Sequence, residues 1–155
     1  MTDLQQHGQK LLSEALTQLW EAMLELTRPT SPQTPLPRPP AKPIRVSREV
    51  ELKVDVENGR CVVVRVFARG CCLETLRVQD TTNYIGPSDV VAKSVMSYLS
   101  CPRDLVRCLR QLRWLTAWMR KRAEGRRRAA EEILRQQRKW VEMLESEIAL
   151  RKLAE

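Results

Sequence analysis

The sequence predicts an α+β fold: a three-stranded antiparallel β-meander covered by a helix, with an N-terminal helix and a long, coiled-coil-like C-terminal helix. Apolar residues recur every three or four positions before residue 27 and after residue 88, but at every second position from residue 44. Seven prolines fall within residues 28–43, where neither helix nor sheet can propagate. These changes divide the chain into an amphipathic helix (1–27), a proline-rich linker (28–43), the meander with its helix (44–101) and a long basic helical region (102–155).

The first helix is predicted by a stripe of large apolar residues at helical spacing, which are Leu12, Leu16, Leu19, Met23 and Leu26. The linker is typical of a semi-rigid polyproline spacer. Its segment PLPRPP (residues 35–40) also has the composition of a ligand for an SH3-type groove.

Strict alternation predicts the first strand. In residues 44–57 the apolar residues Ile44, Val46, Val50, Leu52, Val54 and Val56 all have even numbers, and the odd positions hold polar or charged residues, so one face is buried and one is wet. Asn58-Gly59 predicts a two-residue hairpin turn, because both positions of a type I′ turn need positive φ. Residues 60–68 are apolar on both faces and predict the central strand, and Arg69-Gly70 leads to a third strand over residues 71–78.

The hairpin raises a question about Arg65. A two-residue turn pairs Glu57 with Arg60 and places Arg65 opposite Leu52, on the apolar face. Because charged side chains are rarely buried without a partner, we expect either a bulge that shifts the register or an Arg65 side chain that reaches past the sheet edge.

Two further helices are predicted after the meander. A loop ending at Gly86-Pro87 is followed by Ser88 as an N-cap, and this second helix is expected to cover the sheet. Pro102 fits the first turn of the last helix. Its apolar stripe stops at Met119 and resumes at Ala130.

Between those two stripes lies a strongly basic segment. Residues 120–128 hold six Lys or Arg, and residues 103–139 carry a net charge of +9, which exceeds the +8 of the whole chain. The helix is predicted to be weak or to break near Gly125, because glycine costs about 1 kcal/mol in a helix interior and close cations repel. The segment is interpreted as a nucleic-acid contact, as a hinge or as a solvated surface.

Local basicity favours a polyanionic partner, since charge used only for solubility has no reason to collect in one segment. Trp114 falls on the arginine side of the last helix, where an indole could stack on bases or pack on helix one or another chain. The candidate nucleic-acid-binding residues are Arg103, Arg107, Arg110, Trp114, Arg120, Lys121, Arg122, Arg126, Arg127 and Arg128.

Catalysis and cofactors find little support in the sequence. His7 is the one histidine, the five cysteines lack a Cys-x-x-Cys spacing, and no phosphate-binding loop occurs, so neither enzyme nor metal nor cofactor is predicted. No apolar run is long enough for a membrane span, which predicts a soluble intracellular protein, either cytoplasmic or associated with a nucleoid or nucleus.

Two functions follow as hypotheses. In the first, the protein is a non-enzymatic accessory protein that binds DNA or RNA phosphates through the basic helical segment. In the second, it is a helical assembly or adaptor protein that oligomerises or binds an acidic partner through its terminal helices. A homo-oligomer through residues 129–153 is expected in either case, because the apolar stripe there is too long for a small sheet to cover.

Overall fold

The structure, a computed structural model, describes residues 3–78 and 88–155 and has the predicted α+β class. Its sheet is antiparallel with strand order β1-β2-β3-β4, so it has four strands where three were expected. The loop ending at Gly86-Pro87 lies outside the described residues. The elements are α1 (Asp3–Thr27), β1 (Ile44–Arg45), β2 (Val50–Glu57), β3 (Cys61–Ala68), β4 (Cys71–Arg77), α2 (Ser88–Met96) and α3 (Pro102–Ala154).

Helix α1 is the central element of the fold. Its predicted stripe is buried, and α1 packs against α3, α2 and β3. It runs parallel to α3, since Gly8 lies beside Leu105 and the Leu26 carbonyl contacts Arg126. Helix α2 packs mainly on α1 and also contacts the sheet at β4, so the expected contact between α2 and the sheet is present but lies at an edge strand.

The predicted first strand is divided into β1 and β2 by a tight turn. The backbone N–H groups of Val46 and Ser47 both donate to the Val50 carbonyl, and the Ser47 hydroxyl accepts from the Val50 N–H. The sequence carried a signal for this turn, because the even position 48 holds an arginine and interrupts the apolar series. The short β1 then pairs antiparallel with β2.

The β2–β3 register differs by one residue from the predicted one. Asn58 and Gly59 have the expected positive φ, but Glu57 pairs with Cys61, so Arg60 is an extra residue in the turn. This shift moves Arg65 opposite Lys53 on the wet face. There its guanidinium forms ion pairs with Asp55 and Glu57, so the shifted register, and not a side chain reaching past the edge, accounts for this arginine.

Helix α3 continues through Gly125 without interruption for 53 residues, or about 80 Å. Ala123 and Ala130 are buried on either side of the glycine, and Arg126 is hydrogen-bonded to the end of α1. These contacts hold the segment in a helical conformation despite its repelling charges. Beyond them α3 projects from the body, and every residue from 131 to 155 is exposed.

Candidate nucleic-acid interface

Nine exposed cationic side chains cover α3 between residues 103 and 128, over about 38 Å of helix. They are held there because the opposite side of α3 is apolar and packs on α1, with Leu112, Leu115 and Met119 almost fully buried. We call these nine the basic surface: Arg103, Arg107, Arg110, Arg113, Arg120, Lys121, Arg122, Arg127 and Arg128.

The basic surface has few internal counterions. Within the described ranges, 3–78 and 88–155, a salt bridge joins only one of the nine to a carboxylate, and it is the exposed pair between Arg128 and Glu124. Asp104 accepts hydrogen bonds from the backbone and hydroxyl of Ser100, which lower the pKa of its carboxyl. It therefore serves the start of α3, and no salt bridge joins it to an arginine of the basic surface within the described ranges.

Arg126 differs from its basic neighbours because its guanidinium is directed into the protein. Nε and Nη2 donate to the Thr34 carbonyl at 3.1 and 2.8 Å, and Nη1 donates to the carbonyls of Leu26 and Arg28. Partial burial lowers the pKa of this guanidinium from its ordinary value. Arg126 was predicted to be a nucleic-acid contact, but in the structure it joins α3 to the end of α1 and to the linker.

The two tryptophans of the basic region have different surroundings. Trp114 is 50% exposed, and it is neither in the buried core nor among the partly buried residues packed on it. It lies on the side of α3 opposite the residues that pack on α1, such as Leu112 and Met119. At 100° per residue it shares its side of α3 with Arg103, Arg107 and Arg110. Trp118, in contrast, packs partly against the core.

A groove of about 590 Å³ borders the basic surface, and sequence reasoning missed it. Its walls are the linker residues Pro35 and Pro37 and the exposed side of α3. The Arg122 guanidinium lies 5.5 Å from the centre of the Trp118 ring, a cation–π distance. Gly125 has no side chain, and the space that its Cβ would occupy is open. The cations that line this groove are Lys121, Arg122, Arg126 and Arg128. The linker is thus one wall of a cationic groove, which a proline-rich composition alone does not reveal.

The projecting part of α3, residues 131–154, carries a second kind of surface. Leu134, Val141, Leu144 and Ile148 lie on one face at steps of seven, three and four residues, and they are 37–57% exposed. We call these four residues the distal stripe. At 100° per residue they continue the face that packs on α1 further up the helix, so the same apolar face is covered in one half of α3 and bare in the other.

Two other kinds of feature, metal-ion clusters and membrane-spanning helices, are not found among the described residues. No group of three or more His, Cys, Asp or Glu side chains among residues 3–78 and 88–155 could hold a metal ion. No helix in the same residues combines the length and apolar character needed to cross a membrane. The chain matches no protein-family model, and comparisons with curated proteins and with solved structures gave no match either.

Proposed function

We propose that this protein binds nucleic acid through the basic surface of α3, as a non-enzymatic accessory protein. The observation that supports this best is the set of nine exposed cations with a single carboxylate partner among the described residues. Phosphate groups are the natural counterions for such a surface, because each phosphate contact releases condensed salt ions and so contributes favourable free energy. No base-reading arrangement is implied, so binding is expected to depend little on nucleotide sequence.

Trp114 gives the surface a means to distinguish single strands from duplexes. Its indole is half exposed and flanked by arginines, and in proteins that bind single strands such a ring stacks on unpaired bases while the cations contact phosphates. In a duplex the bases are stacked on each other. We therefore expect tighter binding to single-stranded than to duplex nucleic acid of equal length.

The test is a salt titration of binding, measured as fluorescence anisotropy of labelled single-stranded and duplex oligonucleotides. The logarithm of the association constant should fall linearly with the logarithm of the salt concentration, with a slope of about −0.7 per phosphate contact on single strands and −0.9 on duplex DNA. Replacing Arg120, Lys121 and Arg127 by Gln should reduce the slope by roughly two to three units if all three contact phosphates.

A matched variant controls for net charge. Replacing Lys42, Lys53 and Arg60 by Gln removes the same charge from exposed positions outside α3 and should leave the slope unchanged. Trp114→Ala should weaken single-strand binding by about 1–3 kcal/mol without changing the slope. Equal slopes in the two triple variants, or no salt-dependent binding by the wild type, would overturn the proposal.

The alternative function is helical assembly, and the distal stripe favours it. Four large apolar side chains lie exposed on one face of a projecting helix, and a contiguous exposed apolar patch is typical of a surface that contacts another protein. A protein of this kind would place its basic surface against acidic groups of a protein partner. Trp114→Ala separates the two functions, because an assembly protein has no use for base stacking and its affinity for single strands should not depend on the indole.

A further inference from the structure

The distal stripe has the spacing of a coiled-coil seam. With Leu134, Val141 and Ile148 at heptad position a, the d positions fall on Ala130, Gln137, Leu144 and Arg151. Each d position follows an a position by three residues, which keeps the seam on one side of the helix over three heptads. The seam begins where α1 ends, because the Leu26 carbonyl at the end of α1 contacts Arg126.

We propose that the seam is covered by the same segment of a second copy of this chain, in antiparallel orientation, with Val141 opposite Leu144 of the partner subunit. This inference goes beyond the proposed function and does not depend on it. In this register, any two facing seam residues have numbers that sum to 285. The seam then runs from residue 134 to residue 151 of each copy, and the two helices overlap over residues 131–154, beyond the part of α3 that α1 covers.

Charge complementarity at the seam's edge supports the antiparallel orientation. The e positions hold Glu131, Arg138, Glu145 and Lys152. In an antiparallel pair, e positions face e positions, so Arg138 meets a glutamate at position 145 and Glu131 meets a lysine at position 152. Symmetry doubles both contacts, which gives four pairs, all of opposite charge.

A parallel pair is disfavoured for two reasons. Its e positions face g positions, which places Arg138 beside an isoleucine at position 133 and Glu145 beside a tryptophan at position 140, so both charges lose their partners. It also sets the two basic segments, residues 120–128, side by side. The antiparallel register separates residue 124 of the two copies by about 55 Å along the helix axis, several Debye lengths at physiological salt.

Continuity with the α1–α3 interface is a further argument for a helical occupant. The part of this face before residue 131 is already covered by a helix, and the face continues beyond it with the four large apolar residues of the distal stripe. A second helix laid on the distal stripe meets a surface of the same kind. All residues from 131 to 155 are exposed, so no described part of the chain occupies that place.

Sedimentation equilibrium of the full-length protein tests the self-association. We expect a monomer–dimer equilibrium in the micromolar range and a monomer for Leu144→Glu. Met143→Glu is the control, because Met143 is 65% exposed but lies on the other side of the helix, and it should leave the equilibrium unchanged. Neither position is in the core, so the body should remain folded by circular dichroism. A wild type that is monomeric throughout, or a Leu144→Glu variant that dimerises like the wild type, would overturn the proposal.

A charge swap tests the orientation. Arg138→Glu replaces two attractive contacts of the antiparallel pair by two repulsive ones and should raise the dimer dissociation constant about tenfold. Adding Glu145→Arg to the same chain should restore it to within about twofold of the wild type. Positions 138 and 145 are seven residues apart and do not touch within one helix, so the rescue requires a partner. Without rescue the antiparallel register is wrong, because a parallel pair leaves these two positions uncoupled.

Discussion

The role of Arg126 in the fold is open to a direct test, because the structure separates it from Arg127 beside it. Arg126→Ala removes the donors that satisfy the carbonyls of Leu26 and Thr34, both partly buried. It also removes the positive charge near the C-terminal end of α1, whose own last turn has no basic residue. The substitution should therefore lower the stability of the whole fold, since α1 is its central element.

The expected loss of stability is about 2–3 kcal/mol. A hydrogen bond from a charged donor contributes about 1.5–3 kcal/mol, but the contacts of one side chain are not additive, and water can replace the donor at the exposed Arg28 carbonyl. For a chain of this size, the loss corresponds to a fall in Tm of about 4–12 °C. Arg126→Lys keeps the charge but not the planar set of N–H donors. It should therefore recover only the interaction of that charge with the α1 helix dipole, about 0.3–1 kcal/mol.

Thermal unfolding followed by circular dichroism measures these changes, with Arg127→Ala as the matched control. Arg127 is exposed and has no hydrogen bond among the described residues, so its replacement should change stability by less than about 0.5 kcal/mol. Binding assays should give the opposite ranking: Arg127→Ala lowers the salt slope, and Arg126→Ala leaves it unchanged for the folded protein. Equal Tm values for the two alanine variants would refute the reasoning.

Three other predictions concern the cysteines and Gly125. Burial raises the pKa of the Cys108 thiol from 9.0 to about 12, so at pH 8 a thiol reagent should modify the exposed Cys71, Cys72 and Cys101 quickly and Cys108 only after unfolding. Because the pKa of this thiol is higher in the folded than in the unfolded chain, its contribution to the free energy of unfolding is complete below pH 9 and should be lost between pH 9 and 12. Denaturant titration across that range can measure the loss. Gly125→Ala should stabilise the protein by about 0.5–1 kcal/mol, since an added Cβ has open space in a continuous helix; a lower Tm would contradict the continuity of α3.

Local patterns predicted the elements of this fold well, and their errors lie where one residue interrupts a pattern. Alternation located the strands, but Arg48 at an even position marked a turn that divides the first of them. Positive φ at Asn58 and Gly59 was predicted, whereas the extra turn residue Arg60 was not, because turn composition does not determine how the strands pair beyond it. Packing partners were the least predictable feature, since an apolar stripe shows that a helix is covered but not by which element.

The basic segment illustrates the same limit for function. Arg126, Arg127 and Arg128 are identical in chemistry and adjacent in sequence, yet one is bonded into the protein, one is without a bond among the described residues and one is paired with Glu124. Helical geometry explains the difference, because 100° per residue puts Arg126 on the α1 side of α3, in line with Ala123 and Ala130. The sequence does not show that α1 ends beside this turn of α3. Without that contact, an arginine on the apolar face cannot be recognised as a cap for the end of another helix. The net charge of a segment therefore overestimates the number of cations that a polyanion can contact. Here those cations are the nine of the basic surface, which does not include Arg126.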